Sequence, residues 1–368
     1  MRTALSRPVD STPLALFRVL FGALMCFDAV LALAKLDWLK TVFSPDIFHF
    51  KYAGFSWVPA PPASILGPLC ALAGLAALGV AAGAFARASA AVFFALASWA
   101  LLLDRALYVN HHYLICVFAL LLACAPSARC LSVDSALSKD KDSSIPAFWL
   151  WLLRLQVALV YFYAGLSKLD GDWLSGLPLS LWIEAEAVGG LPLLTPHTSG
   201  LIMSWAGLVV DLLAGPALLW GRTRTAAVIV TTLFHLMNAL WMKVGVFPYM
   251  MMASTVLFVD ASFLRRLFRL PAFPSSVSSG SFVRPPLFIF LWLVVQIALP
   301  LRPFLHPGDP LWTNRGHLFS WRLLLRDKDG ELLFFARDGD GGAEREIDPL
   351  KSLPGFQFRP MLFDPELI

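Results

Sequence analysis

Nine apolar runs, most of them long enough to cross a bilayer, leave this chain few folds to choose from. A spanning helix needs about twenty predominantly apolar residues. Such runs fall at about 13–34, 63–83, 88–103, 112–128, 147–166, 201–220, 225–241, 245–260 and 286–301. In lipid each segment must satisfy its own backbone N–H and C=O groups, so runs of this kind fold as helices. The run at 245–260 is short and carries Pro248, so a broken or tilted helix is expected there, with eight spans as the alternative count. The expected fold is an all-α polytopic membrane protein with about eight to nine transmembrane helices. Composition agrees: 58% of the 368 residues are hydrophobic and 15% are charged, against about 25% charged in soluble domains. The apolar composition makes membrane lipid a partner; the net charge of +4 is small and says little about nucleic acid, and no basic tract with interleaved aromatics is present to bind it. No small-residue cleavage site follows a short apolar core near Met1–Pro8, so the first run is read as a retained helix.

Lys and Arg crowd the connections on the N-terminal side, at Arg87, Arg129, Arg222, Arg224, Arg265 and Arg266 among others. By the positive-inside rule that side is cytoplasmic and the C-terminal tail lies outside, in the periplasm of a bacterial inner membrane. Two connections, Ser132–Ile145 and Pro271–Pro286, read as solvated mobile linkers from their Ser and charge content. The tail changes character. Asp-Gly steps between apolar runs from Phe319 to Gly342 are hairpin signals, so a small extramembrane β-meander is expected. Residues 1–304 then form the membrane domain and 305–368 an extracytoplasmic tail. Asp338-Gly-Asp-Gly-Gly342 lacks the later oxygen ligands of a calcium loop and reads as a turn. The pattern breaks off at Phe363–Ile368, so a truncated domain is expected.

Ionisable residues inside spans are costly and are candidate site residues by default. The topology brings three groups to one depth on the outer side. They are Asp104 through Tyr113, with Asn110, His111 and His112; Lys168 with Asp170 and Asp172; and His235 with Asn238, three apart on one helix face. A lysine in a dry site favours the free amine, which can act as a base. The bland alternatives stay open: Lys168 as a snorkelling cap, and His235 with Asn238 as hydrogen-bonding glue between helices. Arg18 and Arg154 are expected to snorkel, and Asp28 and Asp211 to pair structurally with them or with neighbouring helices. The five cysteines include no Cys-x-x-Cys pair, and among seven histidines only 111 and 112 are close, so no metal is expected.

These residues resemble a known family. Phe17 to Met25, Asp104 to Tyr113, Leu131 to Asp134, Val160 to Trp173, Phe234 to Asn238, Gly245 to Met250, Trp312 to Asn314 and Phe319 to Arg322 run in the order found in the vitamin K-dependent gamma-glutamyl carboxylases and the wider horizontally transferred transmembrane (HTTM) group. The resemblance implies that a lysine deprotonates reduced vitamin K or a related isoprenoid quinone. With O2 the quinone becomes a strong base and leaves as its epoxide. The glutamate carbanion it creates then takes up CO2. By the same resemblance Lys168 is the base, with Ser167 where vertebrate sequences have a second lysine. Asn110, His111, Asp104, His235 and Asn238 are the other catalytic candidates. Tyr113, Tyr161, Trp173, Trp321, Leu323 and Leu324 are the quinone-binding candidates, the two leucines standing where the family often has methionines. The implied partner is a secreted glutamate-containing peptide or protein. Vertebrate enzymes continue into a longer lumenal portion, so a quinone epoxidase without carboxylation, or a non-enzymatic membrane scaffold, are the alternative readings.

Overall fold

The structure is a computed structural model that describes residues 5–242, 244–273, 285–322, 330–337 and 344–368. The long helices are α1 (Thr12–Ala34), α2 (Ala63–Ala82), α3 (Ala86–Leu103), α4 (Asn110–Cys124), α5 (Ala147–Leu166), α6 (Pro196–Leu219), α7 (Arg224–Trp241), α8 (Phe247–Thr255), α9 (Ala261–Leu267) and α10 (Leu287–Ala298). Among the described residues six helices are long and apolar enough to span, or up to seven if the bent pair Phe247–Phe258 and Ala261–Leu267 counts as one.

Each of the nine apolar runs holds a helix, and three of them fall outside those six for identifiable reasons. Helix α4 stops at Cys124 because Pro126 follows, and it is the one shorter apolar helix. Helix α7 has the length, but Thr231, Thr232, His235 and Asn238 make it polar along one side. The 245–260 run is broken, with a bend of 106°. Pro248 is not the cause, because it occupies the first turn of α8, where its missing N–H is harmless. The break lies at Asp260, whose carboxylate accepts from Ser262 N and starts α9 anew.

Helix α5 is central, with most of its residues buried, and packs along α6. The close approach depends on Gly165: a Cβ there would stand 2.8 Å from the Leu212 backbone N. On the other flank α1 packs on α2, and Phe17, Phe21, Phe93 and Phe118 form one aromatic cluster, with Phe17 and Phe118 centroids 4.9 Å apart.

Polar ties close both ends. At the N-terminal end β1 (Pro8–Asp10) pairs antiparallel with β2 (Ser144–Pro146), and Asp10 accepts from Arg265, which also donates to Ser143 Oγ at 2.6 Å. The expected plain linker 132–145 is thus structured, with a helical turn at Val133–Leu137 capped by Ser132. Most of the other linker, 274–284, lies outside the described residues. Arg18 does not snorkel. It is fully buried and donates to carbonyls of Val80, Ala81, Ser127 and Leu131, joining the end of α2 to the connection after α4. Arg154 likewise turns inward to the Leu257 carbonyl at 2.8 Å. Asp28 is exposed on the flank of α1 rather than paired with either arginine.

In the tail, β3 (Phe334–Arg337) and β4 (Glu344–Ile347) form an antiparallel pair, with Phe334 opposite Ile347. Asp338–Gly342, read as their turn, lies outside the described residues. Phe319–Trp321 is not a strand: Phe319 and Trp321 have φ of 61° and 57°, and Trp321 is fully buried.

Candidate functional site

Helix α5 delivers the lysine. Its last turn is closed by Ser167, whose hydroxyl donates to the Ala164 carbonyl at 2.8 Å, and Lys168 follows at once. The Lys168 side chain turns back into the protein and is 5% exposed. Its Nζ donates to Asp211 Oδ2 on α6 at 2.7 Å and reaches the Ala164 carbonyl at 3.4 Å. The Trp173 ring centroid is 5.0 Å from Nζ, and Trp173 is anchored by its Nε1 donating to the Ser204 carbonyl at 2.8 Å. This is not a snorkelling lysine.

Lys168 and Asp211 line a cavity of about 70 Å3 between α5, α6, α7 and α8, open on one side. Met203, Phe234, Trp241, Phe247 and Met251 supply apolar wall. Helix α7 contributes both predicted polar residues: His235 and Asn238 line the cavity, as do Tyr161 and Trp173. The Tyr161 hydroxyl and His235 Nε2 are hydrogen-bonded at 2.7 Å, and His235 is 2% exposed. His235 Nδ1 is buried without a partner among the described residues.

The remaining candidates lie elsewhere. His111 is half-buried at the start of α4, beside Gly245: a Cβ on that glycine would stand 3.9 Å from the His111 ring. Since Val244 lines the cavity, His111 stands next to the rim but not in the wall. Asn110 bridges instead, accepting from the Tyr108 hydroxyl and donating to the Arg322 carbonyl, each at 2.9 Å. Tyr108 in turn accepts from Phe319 N at 2.6 Å, and burial raises its phenol well above the usual range, so it serves as a neutral bridge. Asp104 is fully buried but away from the lysine. It accepts from Gln357 at 2.6 Å and Ala106 N at 2.9 Å, and is bonded to His49 Nδ1 at 3.0 Å. Tyr113 stacks on Trp321 at 4.9 Å and accepts from Gln296 at 2.8 Å, and neither aromatic lines the cavity. Leu323 and Leu324 lie outside the described residues.

Asp211 is the residue that reading by pattern left among structural pairs. One signal was available: it is the single acidic residue in the apolar run 201–220, flanked by Gly207 and Gly215, where a neighbouring helix can approach closely. No group of three or more His, Cys, Asp or Glu side chains placed to share a metal ion occurs among the described residues.

The fold and this cavity together define a polytopic helical membrane protein with an ionisable pair at the end of its central helix. Residues 6–263 match the family model of the HTTM domain, and residues 285–368 match that of the vitamin K-dependent gamma-carboxylase, lumenal domain. The chain therefore belongs to the HTTM-domain family, in its vitamin K-dependent gamma-carboxylase branch. No solved structure matches it.

Proposed function

We propose that this protein is a membrane enzyme that couples oxidation of a reduced isoprenoid quinone of the vitamin K kind to its epoxide with carboxylation of glutamate in a secreted peptide. The observation that supports this reading best is the buried Lys168, turned into an apolar cavity with its Nζ 2.7 Å from Asp211. The residues present suit such a quinone. Aromatic and methionine side chains offer apolar wall, and His235 Nδ1 is a buried polar atom still lacking a partner. Lys168, His235 and Asn238 would hold the polar edge of the ring, with Phe234, Phe247 and Met251 against its faces. When bound, the reduced quinone with O2 supplies the strong base that removal of a glutamate γ proton requires, and CO2 supplies the new carboxyl carbon.

In this reading Lys168 Nζ accepts a hydroxyl proton, and the ammonium so formed rests against Asp211. His235, held by Tyr161, orients the polar edge. The apolar walls exclude water that would quench a strong base. His111 at the rim and residues 305–368, taken as a separate tail, face the peptide. With the arginine-rich end cytoplasmic, this site opens on the outer side.

The test uses purified protein in nanodiscs given reduced vitamin K, O2, labelled CO2 and a glutamate peptide. Epoxide and fixed label together are expected. Epoxide without label would replace the reading by oxygenation alone, and neither product from folded protein across a panel of quinones would overturn it. Lys168→Ala should remove epoxide formation while leaving membrane insertion intact. Wild-type turnover in that variant would discard the base assignment.

A further inference from the structure

Lys168 and Asp211 are each 5% exposed, and each is the other's closest polar partner. A buried ion pair holds its charges well only when its remaining lone pairs and protons are also hydrogen-bonded. Here the surroundings fall short. Among the described residues, Lys168 reaches beyond Asp211 only to the Ala164 carbonyl at a long 3.4 Å, and no protein donor reaches the second Asp211 oxygen. The Trp173 face, 5.0 Å from Nζ, pulls the other way by favouring an ammonium. Charged and neutral forms of the pair have the same net charge, so exchanging them creates no new charge in the dry site. The other titratable groups lining this cavity are Tyr161 from α5 and His235 from α7, bonded to one another, and neither hydrogen-bonds to Lys168 or Asp211.

We infer that Asp211 is the resting acceptor of the Lys168 proton. An N–H bond of the Lys168 ammonium breaks, an O–H bond forms on Asp211 Oδ2, and the amine keeps its lone pair. The new O–H donates back to that lone pair, so Lys168 rests as a neutral amine and presents the lone pair to the cavity when Nζ turns from Asp211, without any proton passing to bulk water. Asp211 acts through Lys168 and is a positioning residue rather than a catalytic one. The inference rests on the reading of Lys168 as the base, but its test does not need turnover.

The full chain in nanodiscs, without quinone, would be examined by infrared spectroscopy near neutral pH, with and without carboxyl-13C aspartate. The expected result is a protonated-carboxyl C=O band that shifts with the isotope and in D2O and disappears in Asp211→Asn. Should Asp211→Asn not fold, Asp211→Glu supplies the assignment: the band persists but no longer shifts with labelled aspartate. A folded wild-type protein with no such band, or a band untouched by both substitutions, would overturn the inference and leave the proposed reaction standing. The band together with no epoxide from any quinone would instead sink the proposed reaction. For the proposed reaction itself, Asp211→Asn should lower kcat at least tenfold with KM for the quinone little changed, since the walls are intact. A loss confined to KM would assign Asp211 to binding and overturn the inference.

Discussion

Single residues inside apolar runs were the most legible part of this chain, because their cost in lipid marks them without any structure. His235 and Asn238 stand out that way, Lys168 stands out at the mouth of its run, and all three stand around one cavity. Their partners were not legible, since a partner depends on which helices touch. Asp211 and Tyr161 became visible as partners only when α6 and α7 were laid against α5. Tyr161 carries a prediction of its own. Tyr161→Phe keeps the ring and removes the hydroxyl from His235 Nε2, leaving the imidazole with neither nitrogen bonded to protein. A buried polar group that loses its partner costs about 1–3 kcal/mol. Thermal unfolding in detergent should therefore shift down, and quinone turnover should fall with it. Unchanged stability would mean that His235 is satisfied by another group.

At the scale of elements, apolar periodicity located the helices but not their continuity. The run at 245–260 shows why: a proline is the obvious suspect, yet Pro248 sits harmlessly in a first turn and the bend belongs to the capping carboxylate of Asp260. The Ser132–Ile145 connection reads as linker by composition, but its residues pair with β1 and receive Arg265, contacts set by residues far away in sequence. The joint that matters for the site is α5 against α6. Gly165 leaves no room for a side chain there, the nearest atoms being Leu212 N and its side chain at 2.8 Å. Gly165→Ala should force the helices apart, at an overpacking cost of about 1–3 kcal/mol. Because Asp211 precedes Leu212, the same displacement should loosen the Lys168–Asp211 pair. A lowered melting temperature with reduced epoxide formation is expected. A variant as stable and active as wild type would show that the joint yields without strain.

On the scale of the whole molecule, Asp104 was the least legible residue. Its place in the ordered motifs makes it a catalytic candidate at the lysine's depth, whereas its buried carboxylate ties the 44–58 connection, the start of the 105–107 turn and the C-terminal helix Gly355–Met361 into one knot. Arg105 strengthens the same junction through Asp364 at 3.1 Å and through Glu366, and Asn314 donates to the Phe363 carbonyl at 3.0 Å. The tail is thus fastened to the membrane domain at the end where the cavity lies, and His111 stands a few residues from that fastening. Asp104→Ala would take one acceptor from each of His49 Nδ1, the Gln357 amide and Ala106 N, while Gln357 keeps the Phe48 carbonyl and His49 keeps the Ser44 carbonyl, at about 1–3 kcal/mol for each buried N–H left unsatisfied. Each 1.4 kcal/mol is tenfold in an opening equilibrium, so cleavage of the 348–368 segment by a dilute protease should rise about tenfold or more, while the membrane helices stay protected. Gln357→Ala should raise it less, because Asp104 keeps His49 and Ala106. Equal resistance in all three proteins would mean that the tail is held by its other contacts and that Asp104 braces only the connection beneath it.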